Sequence, residues 1–281
     1  MTQFLQNKID FAVVLRVKHA NPNGDPLNGN RPRIDYNGLG EISDVCLKRK
    51  MRDRLLESGQ AIFVQSDDRK IDDATSLRDR AEKAFGKQFG SSQTASLSCA
   101  KWFDVRAFGQ LFALPKKKGK ADQEEGGDAG VSIPIRGPVS IHSAFSVQPV
   151  DVTSTQITKS VSGEGDGTKR GSDTMGMKHR VDDAIYVFYG SMNPQLAERT
   201  GFSDTDAEAI KVILPKLFEN DASSARPEGS MEVIKVVWWR HNSRAGQYSS
   251  AKVHRSLIVN ADGTCQMSVL EGLTPEEIPG F

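Results

Sequence analysis

Residues 19–55 have the sequence HANPNGDPLNGNRPRIDYNGLGEISDVCLKRKMRDRL, and they connect a run of apolar residues to a segment rich in Lys and Arg. The apolar run, residues 11–17, is typical of a strand in the centre of a sheet. The loop after it is built from Asn, Pro and Gly, and its glycines permit a close approach of the backbone to other groups. Ser43 is placed to cap a helix over 44–57, and Ser58–Gly59 is placed to end it.

The predicted helix combines an apolar row with a row of cations. At about 100° per residue, Leu47, Met51 and Leu55 align on one side. Lys48 and Arg52 lie one turn apart beside that row, where like charges repel and burial would remove them from water. An anionic partner would relieve both penalties, so strand, loop and helix together favour a groove for a phosphate backbone. The alternative is a solvated face whose long side chains cover apolar surface.

The composition is that of a folded chain and not of a uniformly basic one. The 281 residues carry a formal net charge of +1, so a nucleic-acid site must be a local concentration of Lys and Arg. Three widely separated cysteines, Cys46, Cys99 and Cys265, predict free thiols and a reducing compartment. The first ten residues do not resemble a signal peptide, and no apolar run is long enough to span a membrane. We therefore expect a cytoplasmic protein without membrane association.

The order of predicted elements indicates the fold class. The pattern predicts strands over 139–150, 181–189 and 231–239, and a helix over 204–220. A last hairpin is expected around the turn at 260–263. With the first strand and helix, this gives the βαββαβ order of a ferredoxin-like or RRM-like fold, which belongs to the α+β class.

Two long insertions interrupt this order. Residues 60–130 are expected to be largely helical, with the best helical stretches at 74–85 and 100–114. The charges of 116–130 cancel, and this low-complexity segment is expected to form a surface loop rather than a binding arm. Residues 151–180 are rich in Ser, Thr and Gly and have almost no core-forming side chains, so we expect an exposed hairpin.

Several motifs, in a fixed order along the chain, resemble one protein family. They are NPNGDP, NGNRPR and SDV within 21–45, DVRAFG at 104–109, RGPVS at 136–140 and MGMKHRVD at 175–182. Over nearly its whole length the chain is similar to the backbone subunit of the type I-C CRISPR surveillance complex, Cascade, within the RAMP superfamily. Any one motif alone would be weak, whereas their shared order makes the resemblance specific.

The resemblance implies a fold shaped like a hand and a function without catalysis. The RRM-like palm would comprise 1–59, 131–150 and 181–281, with helical fingers at 60–130 and a thumb hairpin at 151–180. Several copies would polymerise along a CRISPR guide RNA and present it for pairing with target DNA in antiviral defence. Other Cascade subunits would complete the assembly, and a recruited helicase-nuclease would cut the DNA.

The predicted RNA-binding residues lie in the loop, in the basic helix, in the acid-free stretch 129–150 and in the hairpin. Arg31 and Arg33 are two residues apart, so they point to the same side of an extended chain. Unbranched methionines on a basic hairpin suit insertion between bases. The full set is Asn21, Asn23, Arg31, Arg33, Lys48, Arg49, Arg52, Arg136, His142, Lys169, Arg170, Met175, Met177, Lys178, His179 and Arg180.

Some of these features have structural alternatives. Met177 and Val181 could simply anchor the hairpin, and His142 could be an ordinary hydrogen-bonding residue. A second acid-free stretch, 240–261, should present positive potential either to RNA or to a neighbouring subunit. In Trp238–Trp239, at most one ring can reach RNA, because adjacent residues of a strand face opposite sides.

Two other functions compete with this hypothesis. Type III backbone subunits of the superfamily cleave RNA with an acidic loop residue, for which Asp25 and Asp35 are the candidates. Metal-assisted cleavage needs converging carboxylates, and no cluster is evident near either residue. A metal-independent site would need a base such as His142 or His179, and neither has an obvious partner. A purely structural, self-assembling protein would leave the acid-free basic stretches unexplained. We expect no catalytic residue, metal or cofactor.

Overall fold

The computed structural model describes residues 4–114, 131–159 and 175–281. Strand β1, Ile9–Ala20, lies at the centre between β10, Met175–Met192, and β11, Met231–Arg240. Both neighbours run antiparallel to β1. Most side chains of β1 are buried, as its continuous apolar run predicts for a central strand. The first predicted strand is therefore confirmed.

The other described strands are short or lie at the edges. In chain order they are β2 Gly24–Asp25, β3 Arg31–Pro32, β4 Leu39–Ile42, β5 Gly109–Leu114, β6 Val131–Arg136, β7 Val139–Ile141, β8 Ala144–Pro149, β9 Val152–Thr158, β12 Leu257–Val259, β13 Cys265–Met267 and β14 Glu276–Pro279. The described helices are α1 Asp44–Glu57, α2 Leu77–Phe85, α3 Thr94–Lys101, α4 Phe103–Phe108, α5 Pro194–Thr200, α6 Asp204–Ile213 and α7 Ser250–Arg255. Helices and an antiparallel sheet thus share one chain, which confirms the α+β class.

Strand β10 links the hairpin to the main sheet, whose order is β14-β11-β1-β10-β8-β4. It is 18 residues long. Its greater part pairs with β1, from Val181 opposite Ala20 to Met192 opposite Ile9. Its first residues, 175–181, pair with β9 instead. The predicted hairpin is therefore confirmed over its described residues, and it is an extension of a core strand; residues 160–174 lie outside the described part.

Each face of the main sheet carries its own hydrophobic core. Trp238 packs in the first core, stacked on Phe11 with ring centroids 5.5 Å apart. Trp239 faces the opposite way and packs in the second core with Val253 of α7. The two tryptophans are only 2% and 1% exposed. The expectation that at least one is a core residue is confirmed, and the alternative in which one stacks on RNA is wrong.

Helix α1 begins and ends as the sequence predicts. The Ser43 hydroxyl accepts a hydrogen bond from the Cys46 amide at its start, and Ser58 caps its end. Leu47, Met51 and Leu55 are fully buried in the first core, so the predicted apolar row is confirmed. With 14 residues, α1 is the longest helix described. None of the described helices is long and apolar enough to cross a membrane.

Two other predicted elements differ from the structure. Helix α6 ends at Ile213 and not near 220, because Pro215 has no N–H to continue the ladder. The predicted strand at 139–150 is split into β7 and β8, and the inward parity reverses between them. As a result Ala144 is buried and Phe145 is exposed. Helices α5 and α7 and strands β4 and β14 were not predicted.

A third hydrophobic cluster packs α2, α3 and α4 against the β5–β6 hairpin. Its centre is Phe63, whose ring contacts those of Trp102 and Phe112. Residues 109–114 were predicted as the end of a helix, but they pair with 131–136 as a strand. Residues 131–136 were assigned to the palm, and they pair here with the helical insertion instead of the main sheet.

The buried carboxylate of Asp104 joins three elements. It accepts hydrogen bonds from the Phe63 amide at 2.7 Å, the Val64 amide at 3.0 Å and Arg52 Nε at 2.9 Å. Two residues further, Arg106 donates two hydrogen bonds to Asp206 of α6. The DVRAFG motif therefore fixes α4 to both α1 and α6.

Replacement of Asp104 by Ala should lower the free energy of unfolding by about 3–5 kcal/mol, because Arg52 then keeps a largely buried charge without a partner. Urea denaturation measures this change. Asp68→Ala removes a matched carboxylate from an exposed pair with Arg49 and should change the value by less than about 1 kcal/mol. Equal, small effects of the two substitutions would contradict the role given to Asp104.

Candidate nucleic-acid interface

The loop from 21 to 42, which we call the β1–α1 loop, is held in place by two asparagines. The buried Asn21 donates from Nδ2 to the carbonyl of Asn30 at 2.7 Å. Asn23 Oδ1 accepts from both the amide and the hydroxyl of Ser43, each at 2.9 Å. Both side chains were predicted to bind RNA. The geometry gives them a structural role, in which they fix the loop to the start of α1.

Arg31 of strand β3 and Arg33, just after it, lie on the same side of the chain, with Pro32 buried between them. Arg33 lies 3.6 Å from Asp25. Arg31 is exposed and forms no ion pair with any residue that the structure describes. The expectation that both arginines share one side agrees with this geometry, and Arg31 is the one whose charge is available to a ligand.

A rigid turn at 35–38 follows β3. Asp35 Oδ1 accepts from the amides of Asn37 and Leu39, both at 2.8 Å. Gly38 adopts a positive φ of 80° at the end of the turn, a conformation that favours glycine. The carbonyl of Gly38 accepts a hydrogen bond from the Val150 amide at 3.0 Å. The turn is thereby tied to the chain that leads into β9.

Gly40 brings the β1–α1 loop against β10. A Cβ at this position would lie 2.2 Å from the hydroxyl of the fully buried Tyr186. The Gly40 amide also donates to the Ser146 hydroxyl at 2.8 Å. The absence of a side chain is therefore what allows this loop to lie directly on the main sheet.

The hairpin is formed by β9 and the start of β10. Its side chains are exposed near the tip and become buried towards the root, where the hairpin joins the main sheet. Met175 and Met177 are 67% and 56% exposed. His179 is buried on the same face, and its Nδ1 lies 2.8 Å from the Ser154 hydroxyl. Val181, the next residue on that face, is fully buried in the first core. The anchoring alternative therefore holds for Val181, whereas both methionines are accessible to a ligand.

Charges at the root of the hairpin are partly neutralised. Arg16 donates to Asp183, and Arg180 donates to Asp182 at 3.3 Å. The hydrogen bond from Arg16 lowers the pKa of Asp183. Hydrogen bonds from Thr153 and Arg180 lower the pKa of Asp182. Both carboxylates are thus ionised, and they neutralise the positive charges of Arg16 and Arg180.

Three cations at this end of the sheet form no close ion pair with a described residue, namely Lys18, Arg31 and Lys178. Lys18 lies opposite Asp183, and its charge helps to lower the pKa of that carboxyl. Lys18 was not predicted, although its place at the outward-facing end of the first strand was visible in the sequence. Asp35 and Glu41 on the β1–α1 loop offset part of the positive charge. The carboxylate of Asp35 accepts hydrogen bonds from two amides and forms no close ion pair with these cations, which remain accessible to an anionic partner.

The cations of α1 are all neutralised within the fold. The pairs are Lys48–Asp44, Arg49–Asp68, Lys50–Asp221, Arg52–Asp104 and Arg54–Glu57. Burial lowers the pKa of Lys50, although Asp221 acts in the opposite direction. Three of the five carboxylates come from distant parts of the chain. For Lys48 and Arg52, this arrangement supports the packing alternative over the phosphate groove.

Arg136 and His142 lie towards the end of the main sheet that is opposite to the root of the hairpin. Strand β7 pairs with the last residues of β10, opposite 190–192. At about 3.3 Å per residue, roughly 36 Å of strand separate this end from Val181 at the root of the hairpin. Arg136 is exposed beside a cleft of about 560 Å³, and His142 is exposed with its ring 5.7 Å from that of His254. His142 lies two residues before Ala144, which pairs with Ile42 at the end of the β1–α1 loop, but the structure does not bring Arg136 or His142 to the root of the hairpin.

The acid-free stretch 240–261 is less positive than its sequence suggests. Arg240 pairs with Asp204 at 3.0 Å and Glu208 at 2.8 Å, both on α6. Arg244 pairs with Glu198 of α5 at 2.6 Å. The expectation of an un-neutralised surface is wrong for these arginines, because acids from other elements reach them.

The histidines of the same stretch point inward to the buried Asp10. His241 Nε2 lies 2.8 Å and His254 Nε2 lies 3.6 Å from its carboxylate. Burial raises the pKa of Asp10, but hydrogen bonds from His241 and Ser250 outweigh it and leave the pKa below its usual value. Burial lowers the pKa of His254. This cluster attaches α7 and the segment before it to β1.

Asp25, a candidate of the catalytic alternative, has a local structural contact. Asp25 Oδ1 accepts from the Leu27 amide at 3.2 Å and so caps a short helical turn. Within 4–114, 131–159 and 175–281, no group of three or more His, Cys, Asp or Glu is arranged to hold a metal ion. Lys169 and Arg170 lie outside the described residues, as does the surface loop expected at 116–130.

The chain is similar to known proteins over most of its length. The CRISPR-associated protein Cas7 of Haloferax volcanii is 28% identical over 236 residues, and the alignment covers 78% of this chain but just 66% of that protein. A chain of a CRISPR RNA-guided surveillance complex in a pre-nicking state is 14% identical, with a TM-score of 0.46, 83% of this chain covered and 75% of that one. A second chain, of a CRISPR RNA-guided surveillance complex, is 16% identical, with a TM-score of 0.44 and coverages of 92% and 77%. The profile of the family described as CRISPR-associated protein Cas7 matches residues 7–271, so this chain belongs to that family.

Proposed function

We propose that this chain is a non-catalytic backbone subunit of a type I-C CRISPR surveillance complex, and that several copies line the guide RNA. Membership of the Cas7 family supports this proposal. The observation that carries it is the end of the sheet where the β1–α1 loop meets the hairpin. There, exposed cations that form no close ion pair with a described residue lie beside exposed methionines, on a loop and a strand that are held by hydrogen bonds.

The palm of the protein is the main sheet with α1 and α6. The four strands expected in a βαββαβ fold correspond to β1, to β7 with β8, to β10 and to β11. They lie in the order β11-β1-β10-β8, in which the third strand separates the first from the second. This order supports an RRM-like palm. The third hydrophobic cluster supports fingers that extend from 60 to 136, and the β9–β10 hairpin is the thumb.

Recognition is of the RNA backbone and not of its sequence. Lys18, Arg31 and Lys178 are suited to phosphate oxygens, which carry no sequence information. Asn21 and Asn23, whose amides could read base edges, are occupied by contacts within the loop. Base pairing with target DNA then supplies the sequence specificity.

The methionine-bearing hairpin interrupts the RNA at regular positions. Met175 and Met177 are unbranched apolar side chains on a strand continuous with the core. Insertion between two bases costs a few kcal/mol of unstacking, which phosphate contacts must offset. Lys178 lies next to Met177 and can supply such a contact. Each copy would in this way displace one nucleotide from pairing.

The chain itself does not cut nucleic acid. The Asp25 and Asp35 carboxylates are engaged by amides of their own turns. His179 is paired with Ser154 in the hairpin. Cutting would then belong to a helicase-nuclease that joins the RNA, the target DNA and the other subunits of the complex in the cytoplasm.

Removal of the unpaired cations should weaken RNA binding without unfolding the chain. For Arg31→Ala with Lys178→Ala, the plot of log affinity against log salt should be shallower by about 1.4, since each phosphate contact on a single strand contributes about 0.7. Filter binding of two unrelated guide sequences at several salt concentrations measures this. Lys87→Ala with Arg199→Ala removes two exposed cations elsewhere that form no ion pair with a described residue, and it serves as the control. An unchanged slope in the first variant, or a strong preference for one sequence, would count against the proposal.

Purified protein should leave both guide and target RNA intact in the presence of Mg²⁺ or Mn²⁺. Gel analysis of end-labelled RNA detects any cleavage. Asp25→Ala and Asp35→Ala provide the comparison. Cleavage by the wild-type protein that either substitution abolishes would replace this proposal with the type III alternative.

A further inference from the structure

The side chain of Tyr36 is fully exposed and makes no packing contribution to the fold. It is fully exposed, more so than any other large apolar or aromatic side chain that the structure describes. Its ring takes part in no aromatic or cation–π contact among those residues. Because it buries no area, it adds no hydrophobic stabilisation to the fold. The whole ring is therefore accessible to a ligand.

The backbone beneath Tyr36 is rigid. Asp35 and Gly38 close the turn, with the Gly38 amide donating to the Asp35 carbonyl at 3.1 Å. The carboxylate of Asp35 holds two further amides, and Val150 donates to the Gly38 carbonyl. The ring is therefore presented from a fixed position and has only two side-chain torsions to lose on binding.

The surroundings of Tyr36 suit a nucleobase. The strand before the turn carries Arg31 and Arg33, and the Arg33 carbonyl accepts a hydrogen bond from the Glu41 amide on the returning strand. The bond from Val150 places the turn beside the root of the hairpin. Asn37, next to the ring, is exposed. An aromatic face beside cations and an amide is the combination with which proteins stack single-stranded bases.

We propose that Tyr36 of each copy stacks on one base of the bound RNA strand. This inference rests on the proposed function and adds to it a base contact outside the hairpin. The stack would tolerate any base, because every base offers a flat aromatic face. It would fix the base next to a phosphate held by Arg31, and so set the register of the RNA on the β1–α1 loop.

The competing occupant of this surface is another protein. Leu27 and Ile34 are also exposed on the loop. An apolar protein contact would use a leucine side chain about as well as an aromatic ring, whereas a base stack needs the ring. The substitution Tyr36→Leu therefore separates the two interactions, and Tyr36→Phe tests whether the hydroxyl matters.

The test compares the affinities of Tyr36→Phe, Tyr36→Leu and Tyr36→Ala for a short single-stranded RNA and for inorganic polyphosphate. Tyr36→Phe should bind RNA as the wild type does. Tyr36→Leu and Tyr36→Ala should both lose about 5- to 150-fold, the range for one base–aromatic stack. Polyphosphate has no bases, so its affinity should not change in any of the three. Leu27→Ala, at an equally exposed position of the loop, is the control and should bind RNA normally.

Three results would overturn the stacking role. They are full RNA affinity in Tyr36→Ala, RNA affinity retained in Tyr36→Leu but lost in Tyr36→Ala, and an equal loss for polyphosphate. Failure of the proposed function gives a different result, since the wild-type protein would then bind neither RNA nor polyphosphate. Urea denaturation of each variant verifies that the fold is intact, which a fully exposed position leads us to expect.

Discussion

The continuity of β10 is the constraint on which the rest of the structure depends. One uninterrupted strand pairs with β1 in the middle of the sheet and with β9 in the hairpin. Tyr186 and Phe188 fix its register in the first core, and Val181 is the last residue of the strand within that core before the hairpin extends. A shift by one residue would move every side chain of the strand to the opposite face of the sheet. The exposed methionines therefore stand at a position that the core determines.

The β1–α1 loop depends on the same strand. Gly40 lets the loop lie against Tyr186, and Asn23 joins it to the start of α1. The loop is rich in Gly and Asn, yet it is held by hydrogen bonds at both ends and in the middle. It thus places Arg31 and Tyr36 beside the root of the hairpin, so that phosphate contacts, a stacked base and an inserted methionine can all act on one RNA strand.

The sequence predicted correctly those elements whose structure depends on residues close together in the chain. The capping by Ser43, the apolar row of α1 and the long apolar first strand are local patterns, and all three were predicted correctly. It did not predict features that depend on residues far apart in the chain. Residues 109–114 form a strand because 131–136 lie beside them, although the intervening segment hides that pairing in the sequence. The cations of α1 looked available because Asp104 and Asp221 are far away along the chain.

The candidate site shows the same division. The loop and the hairpin were identified from composition, while Tyr36 needed the fold to show that it is exposed beside them. The motifs that first indicated the family are in part structural. Asp104 and Arg106 hold α4 in place, and a Cβ on Gly137 would lie 2.3 Å from the Ala107 carbonyl. The motifs therefore identify the family, but several of their residues stabilise the fold and are not available to a ligand.

The most direct test of the central claim is photo-crosslinking of the assembled protein to guide RNA that contains 4-thiouridine, followed by mass spectrometry of the crosslinked peptides. The account predicts crosslinks in the β1–α1 loop near Arg31 and Tyr36 and in the hairpin at 175–181. It predicts far fewer at Arg136 and His142 or along α1. Crosslinks confined to the Arg136 end of the sheet, with the loop and the hairpin unlabelled, would contradict it.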